Sequence, residues 1–269
     1  MVERRIVARG NVAAIEVLAQ GMGVQGGGHT IVLLPSLGRG AGDFDPIALL
    51  LADAGFRVLR PQPRGIGQSL GCAFANLEDC AGDIATVIEA FGGEPAFVAG
   101  HAFGNRVARL LATDRPELVA AVALIAANVG HAPSPPQVRA AIRISADAGV
   151  PAEQRLDALR FAFFAAGNDP SPWLEGWYPH VLAVQRAAGD RTSRQRDYAG
   201  GGKPVLYLQP DHDPLAHVED AETFRRENGE RVTVTIVPGA SHAAVAEQPE
   251  FIARALIEYA RRLWPVSGA

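Results

Sequence analysis

The chain has 269 residues, of which 48% are hydrophobic and 20% charged, so it is long enough to fold around its own core. Its formal net charge of -4 at pH 7 provides no overall positive field, so we expect no nucleic-acid partner. The two cysteines, Cys72 and Cys80, form neither a disulfide framework nor a zinc site, which favours a cytoplasmic location.

Two features argue against a targeting or membrane-spanning segment. The N-terminal residues are charged and lack the long apolar core of a signal peptide. The apolar runs 31–34 and 119–127 are far shorter than the roughly 18 residues that a membrane helix needs. We therefore expect no membrane partner, and both runs predict strands that are buried on both faces.

Short apolar runs alternate along the chain with longer segments of helical periodicity, which is typical of a mostly parallel α/β sheet flanked by helices. The first two runs predict an antiparallel pair, and the later ones predict buried strands. In chain order the predicted strands are 5–8, 12–18, 30–35, 57–60, 96–100, 120–126, 204–209 and 231–237. The predicted helices between them are 45–54, 77–91, 105–113, 218–228 and 249–263.

The alternation stops at about residue 128 and resumes at about residue 203. The segment between them has helical stretches, no convincing strand and a cluster of aromatic residues. A helical insertion of this kind is expected to form a lid over the carboxyl ends of the strands, where parallel sheets bind ligands. We therefore predict a core domain of residues 1–127 and 203–269, interrupted by a lid of residues 128–202.

The sequence from Gly100 to Gly104, Gly-His-Ala-Phe-Gly, lies between a predicted strand and a predicted helix. Glycines at both ends let the strand and the helix approach closely around a central residue in a strained conformation. This is the G-x-S-x-G pattern of a nucleophile elbow, with Ala102 in place of the serine. Taken alone, two glycines at this spacing also fit an ordinary tight turn between a strand and a helix.

Further segments make residues 30–263 resemble the α/β-hydrolase fold. Residues 64–69 match a structural R-G-x-G-x-S turn of that family, 209–214 its acid-bearing loop, and 238–242 its histidine loop. Nucleophile position, acid and histidine also follow one another in the order that this fold uses.

The resemblance implies a role for several residues. His242 is the expected base, oriented by Asp213, with Asp211 as the alternative acid. The expected oxyanion hole consists of the backbone N–H groups of Leu37 and Phe103, which together stabilise a developing negative oxygen. Where many members of the family have His-Gly, this chain has Pro-Ser at 35–36. The expected substrate-binding residues are Ser36, His101, Trp173, Trp177 and Tyr178.

Ala102 has no nucleophilic group, so the usual acyl-enzyme cannot form there. Three interpretations remain open. In the first, the alanine is an engineered replacement of a natural serine in an ordinary hydrolase. In the second, the alanine is natural, and His242 with Asp213 acts as an acid–base pair on water or on a substrate proton. In the third, the chain is a non-catalytic binding protein, which the desolvation cost of a buried Asp-His pair disfavours.

The aromatic content of the predicted lid and the absence of a basic cluster favour a small to medium, mostly apolar substrate with an ester, lactone or related carbonyl group. The sequence has no histidine pair at metal-ligand spacing and no phosphate-binding loop, and Gly65-x-Gly67 is too short for a dinucleotide fingerprint. We therefore expect no metal and no organic cofactor. The expected oligomeric state is a monomer or a homodimer.

Overall fold

The computed structural model describes residues 1–23, 28–129 and 135–265, which contain nine strands and ten α-helices. The strands are β1 (Glu3–Arg9), β2 (Ala13–Gln20), β3 (Thr30–Leu34), β4 (Arg57–Pro61), β5 (Leu70–Gly71), β6 (Ala96–His101), β7 (Val119–Ile125), β8 (Val205–Pro210) and β9 (Val232–Val237). The helices are α1 (Asp45–Asp53), α2 (Leu77–Ala90), α3 (Phe103–Asp114), α4 (Pro136–Ala146), α5 (Ala152–Ala162), α6 (Pro179–Arg191), α7 (Arg194–Tyr198), α8 (Val218–Asn228), α9 (Ala244–Glu247) and α10 (Pro249–Leu263). None of these helices is long and apolar enough to cross a bilayer.

The strands form one sheet in the order β1-β2-β4-β3-β6-β7-β8-β9, and the short β5 pairs with β2. The pairs β1–β2 and β2–β4 are antiparallel, and every pair from β4 to β9 is parallel. The predicted mostly parallel sheet and its antiparallel opening pair are therefore confirmed. The sequence analysis missed β5 because its two residues are exposed and carry no apolar pattern.

Apolar layers on both faces of the sheet explain why the parallel strands are continuous apolar runs. All residues of β6 are buried, and a strand covered on both faces has no solvent side to make polar. Helices α2, α3 and α8 pack on one face of the sheet. Helices α1 and α10 pack on the other face, together with α5 from the segment between β7 and β8.

The segment between β7 and β8, here called the insert, contains α4 to α7 and no strand among its described residues. It is fastened to the loop after β3 at Gly38, whose N–H donates to Oε1 of Gln185 at 2.8 Å. The N–H of Tyr178 donates to the Gly38 carbonyl at 2.9 Å. A β-carbon on Gly38 would lie 2.5 Å from that of Leu182, so only glycine fits this approach. The division of the chain at 128 and 202 into a core and a lid stays a prediction.

β6 and α3 cross so closely that neither flanking residue of the turn can carry a side chain. A β-carbon on Gly100 would lie 2.3 Å from the carbonyl of Gly104, and one on Gly104 would lie 2.4 Å from the carbonyl oxygen of Leu34. Helix α3 begins at Phe103, two residues earlier than the predicted start at 105, because it starts directly from this turn.

We expect Gly104→Ala to lower the free energy of unfolding by about 1–3 kcal/mol, because the new methyl group would overlap backbone atoms of β3 that cannot move aside. Urea unfolding followed by circular dichroism measures this change. Gly23→Ala is the matched control, since a β-carbon there meets no atom within 4 Å. Equal stability of the two variants would contradict the close crossing.

Candidate active site

Ala102 lies in the turn between β6 and α3 in a strained conformation. Its φ of 47° and ψ of -108° lie outside the helical and extended regions, which costs about 1–3 kcal/mol for a residue with a β-carbon. Its N–H donates to the carbonyl of Ile125 at 2.9 Å, and its carbonyl accepts the N–H of Asn105 at 3.2 Å. The turn therefore holds the methyl group of Ala102 at the carboxyl end of β6, where this residue lines a cavity.

The loops after β8 and β9 bring Asp213 and His242 together. Nδ1 of His242 lies 2.8 Å from Oδ2 of Asp213, and both side chains are buried. The other carboxylate oxygen, Oδ1, accepts the N–H groups of Leu215 at 2.7 Å and Ala216 at 3.0 Å. Because the carboxylate is itself held in place, it orients the imidazole through Nδ1 and leaves Nε2 as the nitrogen for chemistry.

The alternative acid, Asp211, has a different partner. Its Oδ1 lies 2.6 Å from Nδ1 of His212. Its carboxylate also accepts the N–H groups of Gly239 at 3.1 Å and Ala240 at 3.3 Å, so it ties the loop after β8 to the loop after β9. Of the two aspartates that the sequence leaves open, Asp213 is the one that contacts His242.

A cavity of about 180 Å³ lies beside the methyl group of Ala102. Its lining contains six predicted site residues, namely Ser36, Leu37, Ala102, Phe103, Trp177 and His242. In the part of the chain that the structure describes, no hydrogen bond uses the N–H of Leu37 or of Phe103. Both amides therefore remain available to a ligand in the cavity.

Three predicted substrate-binding residues, His101, Trp173 and Tyr178, do not line this cavity, and here the expectation is corrected. His101 is fully buried, and its Nε2 donates to the carbonyl oxygen of His242 at 2.6 Å. Trp173 is also buried and packs with its ring edge toward His101, the ring centroids 6.1 Å apart. Tyr178 is 38% exposed and contributes its backbone N–H to Gly38. The structure therefore places these three residues next to the site and not in the cavity lining.

Trp177 is the predicted aromatic residue that reaches the cavity, and Arg39 positions it. The guanidinium carbon of Arg39 lies 4.8 Å from the ring centroid of Trp177 and 4.4 Å from that of Trp173. Arg39 also forms a buried ion pair with Asp43 at 2.6 Å. Cation–π contacts of this kind stabilise most when they are shielded from water. Because both tryptophans belong to the insert, Arg39 couples the loop after β3 to the insert.

Glu247 connects the histidine loop to the insert. One oxygen accepts the N–H of Ser241 at 2.7 Å, and the other accepts the N–H of Ala165 and Nδ2 of Asn168, both at 2.7 Å. Burial raises the pKa of this carboxyl group, while the three donors favour its charged form. His242 is therefore held both by Asp213 and, through its own loop, by the insert.

The sequence analysis missed half of the cavity lining, namely Arg106, Asn128, Ile142, Phe163, Arg194 and Leu215. Arg106 could have been found, because it lies three residues after Phe103 and so shares its face of α3. Arg194 has no comparable signal, since it belongs to the short helix α7 of the insert. Within residues 1–23, 28–129 and 135–265, no group of three or more His, Cys, Asp or Glu side chains is placed to hold a metal ion.

The buried position of His101 predicts a pH dependence of stability. Burial lowers the pKa of His101 to about 3, whereas a histidine in the unfolded chain titrates near 6.5. Between these values the unfolded chain binds a proton that the folded chain does not, so stability falls as the pH falls below about 6.5. The expected contribution is about 1.4 kcal/mol per pH unit.

Urea unfolding of the wild type and of His101→Gln between pH 7 and pH 5 tests this expectation. The variant keeps a hydrogen-bond donor but loses the titrating group, so its stability should decline less steeply with falling pH. His180→Gln, which replaces an exposed histidine, is the control. Parallel pH profiles for the wild type and His101→Gln would contradict a neutral, buried His101.

Comparisons with known proteins agree with this architecture. The dihydrolipoyllysine-residue acetyltransferase component of the acetoin cleaving system of Cupriavidus necator is 32% identical over 222 residues, which are 73% of this chain and 56% of that protein. The AB hydrolase superfamily protein YfhM of Bacillus subtilis is 39% identical over 84 residues, 30% of this chain and 29% of that protein. The matches thus span little more than half, or less, of the length of these relatives.

Among solved structures, the carboxylesterase CesB of Bacillus subtilis superposes with a TM-score of 0.76 at 18% identity, covering 97% of this chain and 92% of that one. A likeness at this identity establishes the fold alone. The sequence model of the alpha/beta hydrolase family matches residues 31–255, a range that includes Ala102, Asp213 and His242. The chain therefore belongs to the alpha/beta hydrolase family.

Proposed function

We propose that this protein is an enzyme in which His242, oriented by Asp213, acts as a general base without a covalent intermediate. The proposed substrate is a small to medium molecule with an ester, lactone or related carbonyl group. The observation that carries this proposal is the pair of hydrogen-bonded side chains, 2.8 Å apart, whose imidazole lines the same cavity as the methyl group of Ala102.

The proposed chemistry follows from the Asp213–His242 pair that the site contains and from the absence of a nucleophilic group at position 102. With a methyl group at position 102, no acyl-enzyme forms, and the volume of the missing hydroxyl is left to a water molecule or to the substrate. His242 takes the proton of that water as its oxygen bonds to the carbonyl carbon, and returns the proton to the leaving oxygen. The amides of Leu37 and Phe103 would donate to the carbonyl oxygen as it becomes negative.

The same geometry suits other reactions of a polarised carbonyl compound. If His242 removes a proton from the substrate itself, the electron pair that remains can cleave a carbon–carbon bond or eliminate a leaving group. Such lyase chemistry needs the same base and the same two amides, and it needs no nucleophile at position 102. The hydroxyl group of Ser36, at the cavity wall, would add a further donor or acceptor to the substrate.

We also propose that the insert acts as a lid. Ile142, Phe163, Trp177 and Arg194 belong to it, and they line the same cavity as Ala102 and His242. The hydrogen bonds of Gly38 fasten the insert to the loop that contains Leu37. A lid that closes over the site would exclude bulk water, which would strengthen the electrostatic interactions inside it.

Substitution of the dyad and of Ala102 tests the proposed function. We expect His242→Ala to lower the turnover of short-chain activated esters and lactones by about 100-fold or more, because general-base catalysis is lost. Turnover is measured by release of p-nitrophenol or of acid, and the folded state of each variant by its melting temperature. His180→Ala, which removes an exposed histidine, should leave turnover unchanged.

Ala102→Ser separates the interpretations that the sequence leaves open. A burst of one equivalent of product, followed by a rate far above that of the wild type, would mean that the scaffold is that of an ordinary serine hydrolase. Wild-type activity that depends on His242 and does not rise in Ala102→Ser supports the acid–base route. Ligand binding without turnover in either protein, unaffected by His242→Ala, would replace the proposal with a binding function.

A further inference from the structure

A second cavity, of about 40 Å³, borders the turn between β6 and α3. Its lining comes from β2, from the ends of β3 and β4, and from helices α2, α3 and α6. Phe103 lines this second cavity and also the cavity beside Ala102, here called the active cavity. Among the described residues that line either space, no other belongs to both. Phe103 therefore lies in the wall between the two cavities.

The second cavity is mainly an apolar space. Two of its polar side chains are already engaged, since both oxygens of Asp83 accept hydrogen bonds from Arg64 and Oε1 of Gln185 accepts the N–H of Gly38. Six of its lining residues belong to the core cluster that packs on α2 and α3, namely Ile15, Leu34, Phe74, Cys80, Ile84 and Val107. A space with such a lining is one that a hydrocarbon chain can fill.

The backbone and the ring of Phe103 contribute to different sides of this wall. Its backbone directly follows Ala102 and so belongs to the turn at the active cavity. Its ring packs against the core cluster whose members line the second cavity. On the side of the insert, Cε2 of the ring lies 3.8 Å from where a β-carbon on Gly189 would be, so the ring also contacts α6. The ring is therefore placed between α3 and α6, at the boundary of the two spaces.

We propose that the ring of Phe103 closes the active cavity toward the second cavity and thereby limits the length of the substrate. This proposal rests on the proposed function and narrows its substrate class to carbonyl compounds with a short hydrocarbon chain. The carbonyl would lie between His242 and the amides of Leu37 and Phe103, and the chain would extend toward the ring and end there. A smaller side chain at position 103 would join the two cavities and admit a longer chain, while the N–H of that residue remains in place.

Equilibrium binding of unreactive methyl ketones tests this role without any turnover. The probes run from butan-2-one to octan-2-one, and their dissociation constants are measured by NMR titration. Each methylene group that enters an apolar space should strengthen binding about fourfold. For the wild type we expect this increase to stop within the series, because the chain meets the ring of Phe103. For Phe103→Ala we expect it to continue, so that octan-2-one binds about tenfold more tightly than to the wild type.

A second variant covers the case in which Phe103→Ala does not fold, which its melting temperature shows. Phe103→Leu keeps more of the packing against the core cluster and shortens the side chain less, so we expect a smaller gain in the affinity for octan-2-one. Butan-2-one, which is too short to reach the ring, should bind the wild type and both variants with similar affinity. The gain is thus measured against a ligand that does not use the second cavity.

Filling the second cavity provides the matched control. Ile84 lines that cavity from α2 and does not line the active cavity. Ile84→Phe alone should therefore leave the ketone series of the wild type unchanged. Combined with Phe103→Ala, it should remove the gain for octan-2-one, because the added ring occupies the space that the chain would enter. The melting temperatures of the single and double variants verify that they are folded.

Several results would overturn the role of Phe103. They are wild-type affinity that keeps rising up to octan-2-one, no gain in either Phe103 variant, a gain that persists when Ile84→Phe is added, and no measurable binding of any ketone. Each of these leaves the proposed function standing if turnover still depends on His242. Conversely, a gain that Ile84→Phe cancels supports the role of Phe103 even if no ester or lactone is turned over.

Discussion

Gly104 is the point where β3, β6 and α3 come within atomic contact. Its α-carbon has backbone atoms of Leu34 on one side, and its carbonyl faces the α-carbon of Gly100 on the other. No side chain can separate these segments, which restricts the conformation of the turn between β6 and α3. That conformation fixes the methyl group of Ala102, the N–H of Phe103 and the side chain of Arg106 relative to one another. The position of the cavity walls at Ala102, Phe103 and Arg106 therefore depends on this crossing.

The backbone of Ala102 is strained in the way that a nucleophile elbow requires, although position 102 has no serine. Backbone strain of this kind is maintained only where the surrounding structure imposes it, and here the two glycines and the hydrogen bond to Ile125 do so. The dyad of Asp213 and His242 is also held in place. The N–H groups of Leu215 and Ala216 bind Asp213, and Glu247 binds the N–H of Ser241, which precedes His242. The geometry of the turn and of the dyad is therefore maintained with a methyl group at position 102.

The sequence predicts those features of the fold and the site that lie within one short segment, and it misses those that depend on contacts between distant segments. The strands are apolar runs, and the turn at Ala102, the loop of Asp213 and the loop of His242 each lie in one short segment, so pattern alone places them on the correct strand ends. The meeting of Arg106 and Arg194 depends on how the insert folds back over α3, which no local pattern records. For the same reason the sequence could not separate Trp177, which reaches the cavity, from the neighbouring aromatic residues that do not.

The attachment of the insert at Gly38 links the position of the insert to the backbone beside Leu37. Gln185 and Tyr178 bind the N–H and the carbonyl of the residue that directly follows Leu37. If the insert acts as the proposed lid, its outward movement would take both partners away from Gly38 and leave the peptide plane next to Leu37 free to rotate. Its return would set that plane again. Under this proposal, entry of the substrate and polarisation of its carbonyl would exclude each other in time.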